Sequence, residues 1–160
     1  MIIQNPTLKK ILLTVLVIFS ISVIKVLTED YYKYNSNNRK QDSNNTNNLN
    51  QETFSEFLAK TSIKINKRCP MVIDSDTRLD NTIVLSQNTL QYNYTWVNME
   101  KSTTDIDYIE KNFAPIVIEN VKTNPGLKMF RDRNVTLSYY YKDKNGKFVY
   151  LLKITPKMYK

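Results

Sequence analysis

The chain has 160 residues, with 23 Lys and Arg against 15 Asp and Glu, a formal net charge of +8, no His, one Cys and two Gly. Without imidazole it can hold no Ser-His-Asp or Cys-His site and no His-ligated metal; with Gly126 and Gly146 as its only glycines it has no Gly-rich loop to cradle a phosphate. Cys69 alone makes neither an internal disulfide nor a thiolate zinc site, so the composition implies no metal and no cofactor.

Lys9 and Lys10 precede an apolar run from Ile11 to Leu27, interrupted by Thr14, Ser20, Ser22 and Lys25. As a helix this run spans roughly 26 Å, the short end of what crosses a bilayer core of about 30 Å. It is apolar on every side, unlike the one-faced pattern of a helix buried in a soluble domain. Residues 1–27 are therefore expected to be a signal-anchor transmembrane helix with Lys9 and Lys10 on the cytoplasmic side. A cleaved secretory signal, with Ser20-Ile21-Ser22 as its small-x-small site, is the other reading. Either one puts the remainder outside the cytoplasm, as a single-pass membrane protein or, after cleavage, as a secreted one.

Residues 28–51 hold eight Asn between Asn35 and Asn50 and, after Tyr34, the single apolar Leu49. Such a stretch cannot bury enough apolar surface to offset the entropy of ordering, and it reads as a disordered linker. Its reach as a flexible coil is about 25–30 Å. Tyr31, Tyr32 and Tyr34 suit an aromatic belt at the membrane interface.

Residues 52–160 suffice for one domain with one core. Thr53 and Glu56 form a capping-box pattern, and Phe54, Phe57, Leu58, Thr61 and Ile65 recur beyond it at helical spacing, predicting a helix to about Arg68 that Pro70 stops. A first hairpin comes next, with Leu79, Ile83 and Leu85 on one face of the outgoing strand and Leu90, Tyr92, Tyr94 and Trp96 on one face of the return. Thr104 is expected to cap a second helix with the stripe Ile106, Ile109, Phe113, Val117 and Val121, kinked or split at Pro115. A second hairpin alternates Val135, Leu137, Tyr139 and Tyr141, turns at Asn145-Gly146 as a positive-φ pair, and returns through Phe148, Tyr150, Leu152 and Ile154. The fold class is α+β in the order helix, hairpin, helix, hairpin, with an antiparallel sheet of about four strands and the helices on one face. The opposite face would carry Gln91, Asn93, Thr95, Ser138 and Tyr140, either solvated or as a binding surface.

The densest polar cluster is Asp74 to Asp80. As a calcium loop it fails, because Arg78 and Leu79 occupy the fifth and sixth positions. An Asp-x-Asp-x-Thr phosphotransfer motif comes nearer, through Asp74 and Asp76, but Thr77 falls one place early. The plainer reading makes Asp74 and Asp76 turn formers and pairs Arg78 with a nearby carboxylate. Cys69 beside Arg68 is either a thiol favoured electrostatically as thiolate or a small buried side chain. Residues 52–160 have 17 basic and 12 acidic residues, a net +5 that argues weakly for nucleic acid. The basic segment is its end, where Lys144, Lys147, Lys153, Lys157 and Lys160 meet no acid after Asp143. Three Asn-x-Thr sequons, at Asn44, Asn93 and Asn134, are what so Asn-rich a chain contains by chance.

From Ile65 to Tyr159, through NKRCPMVIDSDTRLD, QYNYTWVNM, NVKTNPGLKMFRD and YKDKNGKFVYLLKITPKMY, the chain resembles a group of small bacterial exported proteins of unknown function. That resemblance implies an exported single domain and no particular site residues. The sequence thus points to a membrane-tethered extracytoplasmic binding or assembly module with a protein partner rather than an enzyme. Two alternatives stay open: a small hydrolase or transferase using carboxylates near Asp74 and Asp76, and a binder of anionic lipid or acidic polymer working through Lys153 and Lys157.

Overall fold

A computed structural model describes residues 29, 32–36, 53–85 and 88–160. The expected membrane segment, residues 1–27, lies outside them, as does the expected linker apart from residues 29 and 32–36. Among the described residues no helix is long and apolar enough to cross a membrane.

Helix α1, Phe54–Asn66, starts at the capping box: the Thr53 hydroxyl accepts from the Glu56 N–H at 3.2 Å and Glu56 accepts from the Thr53 N–H at 2.8 Å. It ends at Asn66, short of Arg68, and a cis Cys69–Pro70 bond leads into β1, Met71–Val72. Strands β2, Thr77–Leu85, and β3, Thr89–Trp96, form the first hairpin, and β4, Thr136–Lys142, and β5, Phe148–Ile154, the second. Between the hairpins lie α2, Ile106–Tyr108, a π-helical turn at Ile109–Phe113, α3, Ala114–Thr123, and α4, Lys128–Asp132. The last element is α5, Pro156–Tyr159.

The α+β class and the order of helices and hairpins match expectation, while the sheet differs in two respects. It has five strands rather than four, in the order β1-β2-β3-β4-β5, because Met71–Val72 adds a short strand against Leu79 and Arg78. It is also mixed: β3 and β4 pair in parallel, from Thr89↔Thr136 to Thr95↔Lys142. The cause is the helical connection, which carries the chain back across the sheet so that β4 starts at the same end as β3. Asn88 fastens that end, accepting the Thr136 N–H at 2.9 Å and donating to the Arg133 carbonyl at 2.7 Å.

Helix α2 is capped by Asp105, whose carboxylate accepts the Tyr108 N–H at 2.9 Å, and not by Thr104. Pro115 does not kink a continuous α-helix. It sits in the first turn of α3, where its missing N–H costs little, and the π-helical turn precedes it.

The core lies on one sheet face. Leu90, Tyr92, Tyr94 and Trp96 of β3 and Leu137, Tyr139 and Tyr141 of β4 are buried, with Leu58 and Ile65 of α1 and Val117 and Val121 of α3 in the same cluster. Register places Tyr92 beside Tyr139 and Tyr94 beside Tyr141, and the rings stack with centroids 5.6 and 5.3 Å apart. Trp96 stacks on Tyr141 at 4.4 Å, and Phe113 meets both edge-on. Such pairs add about 0.5–1.5 kcal/mol each beyond the area they bury. Tyr34, expected as an interfacial aromatic, is instead buried against Phe57 at 4.9 Å between ring centroids, with the Arg133 guanidinium over its ring.

Candidate functional site

Side chains from several strands converge on the second sheet face, where Thr95 and Ser138 are buried and Gln91, Asn93 and Tyr140 partly exposed. A shift of register between Leu79 and Asn81 builds it. One extra residue there leaves Asp80 and Asn81 on the same side and reverses the alternation beyond them. Leu79 therefore faces the core, while Ile83 and Leu85 point outward and are exposed, against the expectation that all three share a face. Thr82 takes the inward place and is fully buried.

Asp80 is the hub of this face. Its carboxylate accepts from Arg78 Nε at 2.7 Å and from Thr95 Oγ1 at 2.6 Å, and pairs with Lys142 Nζ at 3.1 Å. Partial burial would raise its pKa. The hydrogen bonds from Thr95, Arg78 and Lys142, with the Lys142 charge, outweigh that and hold the carboxyl below its ordinary value. Beside it a ladder crosses three strands: Ser138 Oγ donates to Gln91 Oε1 at 3.1 Å, Gln91 Nε2 to Asn93 Oδ1 at 2.8 Å, and Asn93 Nδ2 to Asn81 Oδ1 at 2.6 Å. Four of the five residues expected on this face, Gln91, Asn93, Thr95 and Ser138, are thus hydrogen-bonded across it and held in place before any ligand arrives.

Towards β5 the face turns apolar. The Tyr140 and Phe148 rings lie 5.1 Å apart, Lys101 Nζ sits 5.7 Å over Phe148, and Leu151 is opposite Tyr140. Phe148 is 42% exposed and Leu151 45%. Alternation along the strand predicts Phe148 on the core side; a register shift between Tyr141 and Lys142 puts Val149 inside instead. The adjoining turn is fixed by Asp143, whose carboxylate accepts the backbone N–H groups of Lys101, Asn145 and Lys147 at 2.8–3.0 Å. These N–H groups, that of Lys101 foremost, lower its pKa despite burial. Of the Asn145-Gly146 pair, expected to have positive φ at both residues, only Gly146 has it, at 78°.

The residues singled out from sequence fall in three places. Asp74 accepts the Asp76 N–H at 2.8 Å, the side-chain turn expected of it. Asp76 is buried and accepts from Asn98 Nδ2 at 2.8 Å and Ser75 Oγ at 2.7 Å, so it ties the loop before β2 to the end of β3. Arg78 pairs with Asp80, on the outer face. Lys153 lies exposed on β5 and Lys157 exposed on α5. Cys69 is half-buried; burial and the nearby Asp80 push its thiol up, which goes against the thiolate reading and suits the alternative of a small, inward-lying side chain. Among the described residues no group of three or more Cys, Asp or Glu could hold a metal ion. Sequence reasoning missed Asp80 and Lys142 as hub and partner, and Phe148 and Leu151 as exposed apolar residues. The register shifts reveal Asp80 and Phe148, whereas Lys142 and Leu151 follow from the alternation of β4 and β5.

Residues 53–151 match the model of the domain of unknown function DUF8479, and the chain belongs to that family. No curated protein matches the sequence. Among solved structures, a protein of Pseudomonas aeruginosa classed as secreted is similar at a TM-score of 0.57 and 16% identity, over 72% of this chain and all of that one. The type 2 secretion system pilotin EpsS of Vibrio vulnificus is similar at a TM-score of 0.51 and 6% identity, over 64% of this chain and 88% of that one. At these identities the likeness is one of fold.

Proposed function

We propose that this domain is a non-catalytic binding or assembly module, held outside the cytoplasm by residues 1–27 and docking a protein partner on the open face of its sheet. The observation that carries the reading is the build of that face. Its polar ladder is already hydrogen-bonded, so a partner meets groups whose ordering is complete, and Tyr140, Phe148 and Leu151 beside it offer apolar surface. Preorganised polar groups around an aromatic anchor make a protein interface at low ordering cost. The fold's occurrence in a secretion-system pilotin and in a protein classed as secreted suits a role in export or assembly at the cell envelope.

The test is photo-crosslinking in the cells that make the protein, with a crosslinking amino acid at Tyr140 or Leu151 and, as control, at exposed Glu119 or Lys122 on α3. A discrete protein adduct from the face and none from the helix is the expected result. Equal adducts from both, or none from the face, would remove the proposal.

A further inference from the structure

The two edges of the sheet are treated differently by the chain. On the β2 side, β1 covers Arg78 and Leu79, and α1 covers the strand around Thr82. Asn66 Nδ2 donates to the Thr82 carbonyl at 2.8 Å while Asn66 Oδ1 accepts the Thr82 N–H at 2.7 Å, and Ser62 Oγ donates to the same carbonyl at 3.0 Å. A side-chain amide there takes both hydrogen bonds that a neighbouring strand would take. The β5 edge has no such cover among the described residues: β5 is last in the sheet order and its one strand partner is β4. Alternate residues along its length, about 24 Å for an extended strand, turn N–H and C=O groups outward.

We propose that this open edge binds an acidic, extended segment of the partner protein by strand addition, extending the sheet to six strands; the inference rests on the reading of the domain as a partner-binding module. Charge selects the occupant. Lys147 and Lys153 flank the apolar centre of the edge at Leu151, Lys157 and Lys160 lie beyond it at the end of the chain, and all four are exposed and without an ion-pair partner among the described residues. No acidic residue comes after Asp143, which is turned into its own loop. Pairing with a second copy of β5 would line these lysines up against their own kind, the usual defence of an edge strand against its twin. An acidic strand meets the same lysines as attraction, and an apolar side chain on its outer side falls beside Leu151.

The experiment uses the full-length protein in detergent and a capped acidic peptide whose outward-facing positions carry Val opposite Leu151 and Glu opposite Lys153, with binding read by NMR or calorimetry up to about 1 mM. Three controls accompany it: the same peptide with Lys for Glu, the same peptide N-methylated at alternate residues, and the protein variant Lys153→Glu/Lys157→Glu. Saturable binding with shifts along β5, lost at least tenfold with each control, is the expected result. N-methylation removes the peptide's own N–H donors without altering the protein, so its effect does not depend on a variant folding. Undiminished binding of the N-methylated peptide, equal binding of the Lys peptide, or no binding overturns strand addition. So does a concentration-dependent dimer formed through β5, since the occupant would then be a second copy. A crosslinked adduct from Tyr140 whose formation is not reduced by acidic peptide added before irradiation leaves the binding module standing and removes the edge mechanism alone; absence of both adduct and peptide binding removes both.

Discussion

Replacing Asn66 by Ala removes the cover of the β2 edge at one residue, and the cost can be worked from the geometry. Thr82 is fully buried and makes three hydrogen bonds to Asn66: its N–H at 2.7 Å, its carbonyl at 2.8 Å and its hydroxyl at 3.1 Å. In Asn66→Ala the carbonyl and hydroxyl keep Ser62, but the N–H loses the Asn66 oxygen that accepts it. An orphaned buried donor costs about 1–3 kcal/mol, and the remaining lost bonds up to about 1 kcal/mol more. Ala returns roughly 0.5 kcal/mol of helix propensity at the end of α1. The net expectation is a loss of about 2 kcal/mol, a fall in Tm of roughly 8–16 °C for a domain of this size. Asn66→Asp keeps an acceptor for the N–H but sets a carboxylate oxygen against the Thr82 carbonyl at the negative end of α1, so it is expected to cost at least as much as Asn66→Ala. Urea and thermal unfolding of both variants give the comparison. Asn66→Ala within about 0.5 kcal/mol of the parent, or Asn66→Asp as stable as the parent, would refute the edge-cover argument.

Three further outcomes rest on the core and the outer face. The Tyr141 hydroxyl is buried with no hydrogen-bond partner among the described residues, so Tyr141→Phe is expected to leave stability unchanged or raise it by up to about 1 kcal/mol, and a loss above about 1 kcal/mol in thermal unfolding would mean that the hydroxyl is satisfied. Burial raises the pKa of Tyr92, Tyr94, Tyr139 and Tyr141, and that of Tyr159 to about 12. Because the folded values lie above the unfolded value of about 10, this stability is complete below pH 10 and is lost as pH rises through the folded values. Tyrosinate absorbance of these residues should then appear together with loss of the far-ultraviolet dichroism; appearance before it contradicts the burial. At the acid end the pKa values of Asp80 and Asp143 are depressed, so their contribution is present above about pH 4 and lost as pH falls through the folded values. Asp143→Asn should accordingly flatten the acid limb of the stability profile, and an unchanged limb counts against the carboxylate's role in the turn.

How far the sequence discloses this molecule depends on whether a signal is local. Thr53 with Glu56 marks the start of α1, and the alternation of Leu90, Tyr92, Tyr94 and Trp96 marks the buried side of β3, because capping and pleating act over a few residues. The outer-face residues Gln91, Asn93, Thr95 and Ser138 are legible for the same reason. The extra residue at Asp80 is not, since an alternating pattern with one insertion looks like an alternating pattern of the other phase. Ile83 and Leu85, apolar and exposed, therefore read as core, and Phe148 does so through the corresponding shift between β4 and β5. The parallel β3–β4 pairing depends on where a long helical connection returns, which no short window contains. Asp74, Asp76 and Arg78 are legible as turn formers and an ion pair, whereas the link from Asp76 to Asn98 joins positions 22 residues apart.

The central claim, that the open sheet face is where this domain meets its partner, is tested most directly by a Tyr140→Ala/Phe148→Ala/Leu151→Ala variant expressed in place of the parent protein. Phe148 and Leu151 are exposed, Tyr140 is only half-buried, and none of the three belongs to the core cluster, so the variant should keep the parent's dichroism and unfold within a few degrees of it. Native sizing of detergent-solubilised whole-cell extract should then show the parent in an assembly with its partner and the variant released from it. A folded variant that remains in the same assembly would contradict the claim.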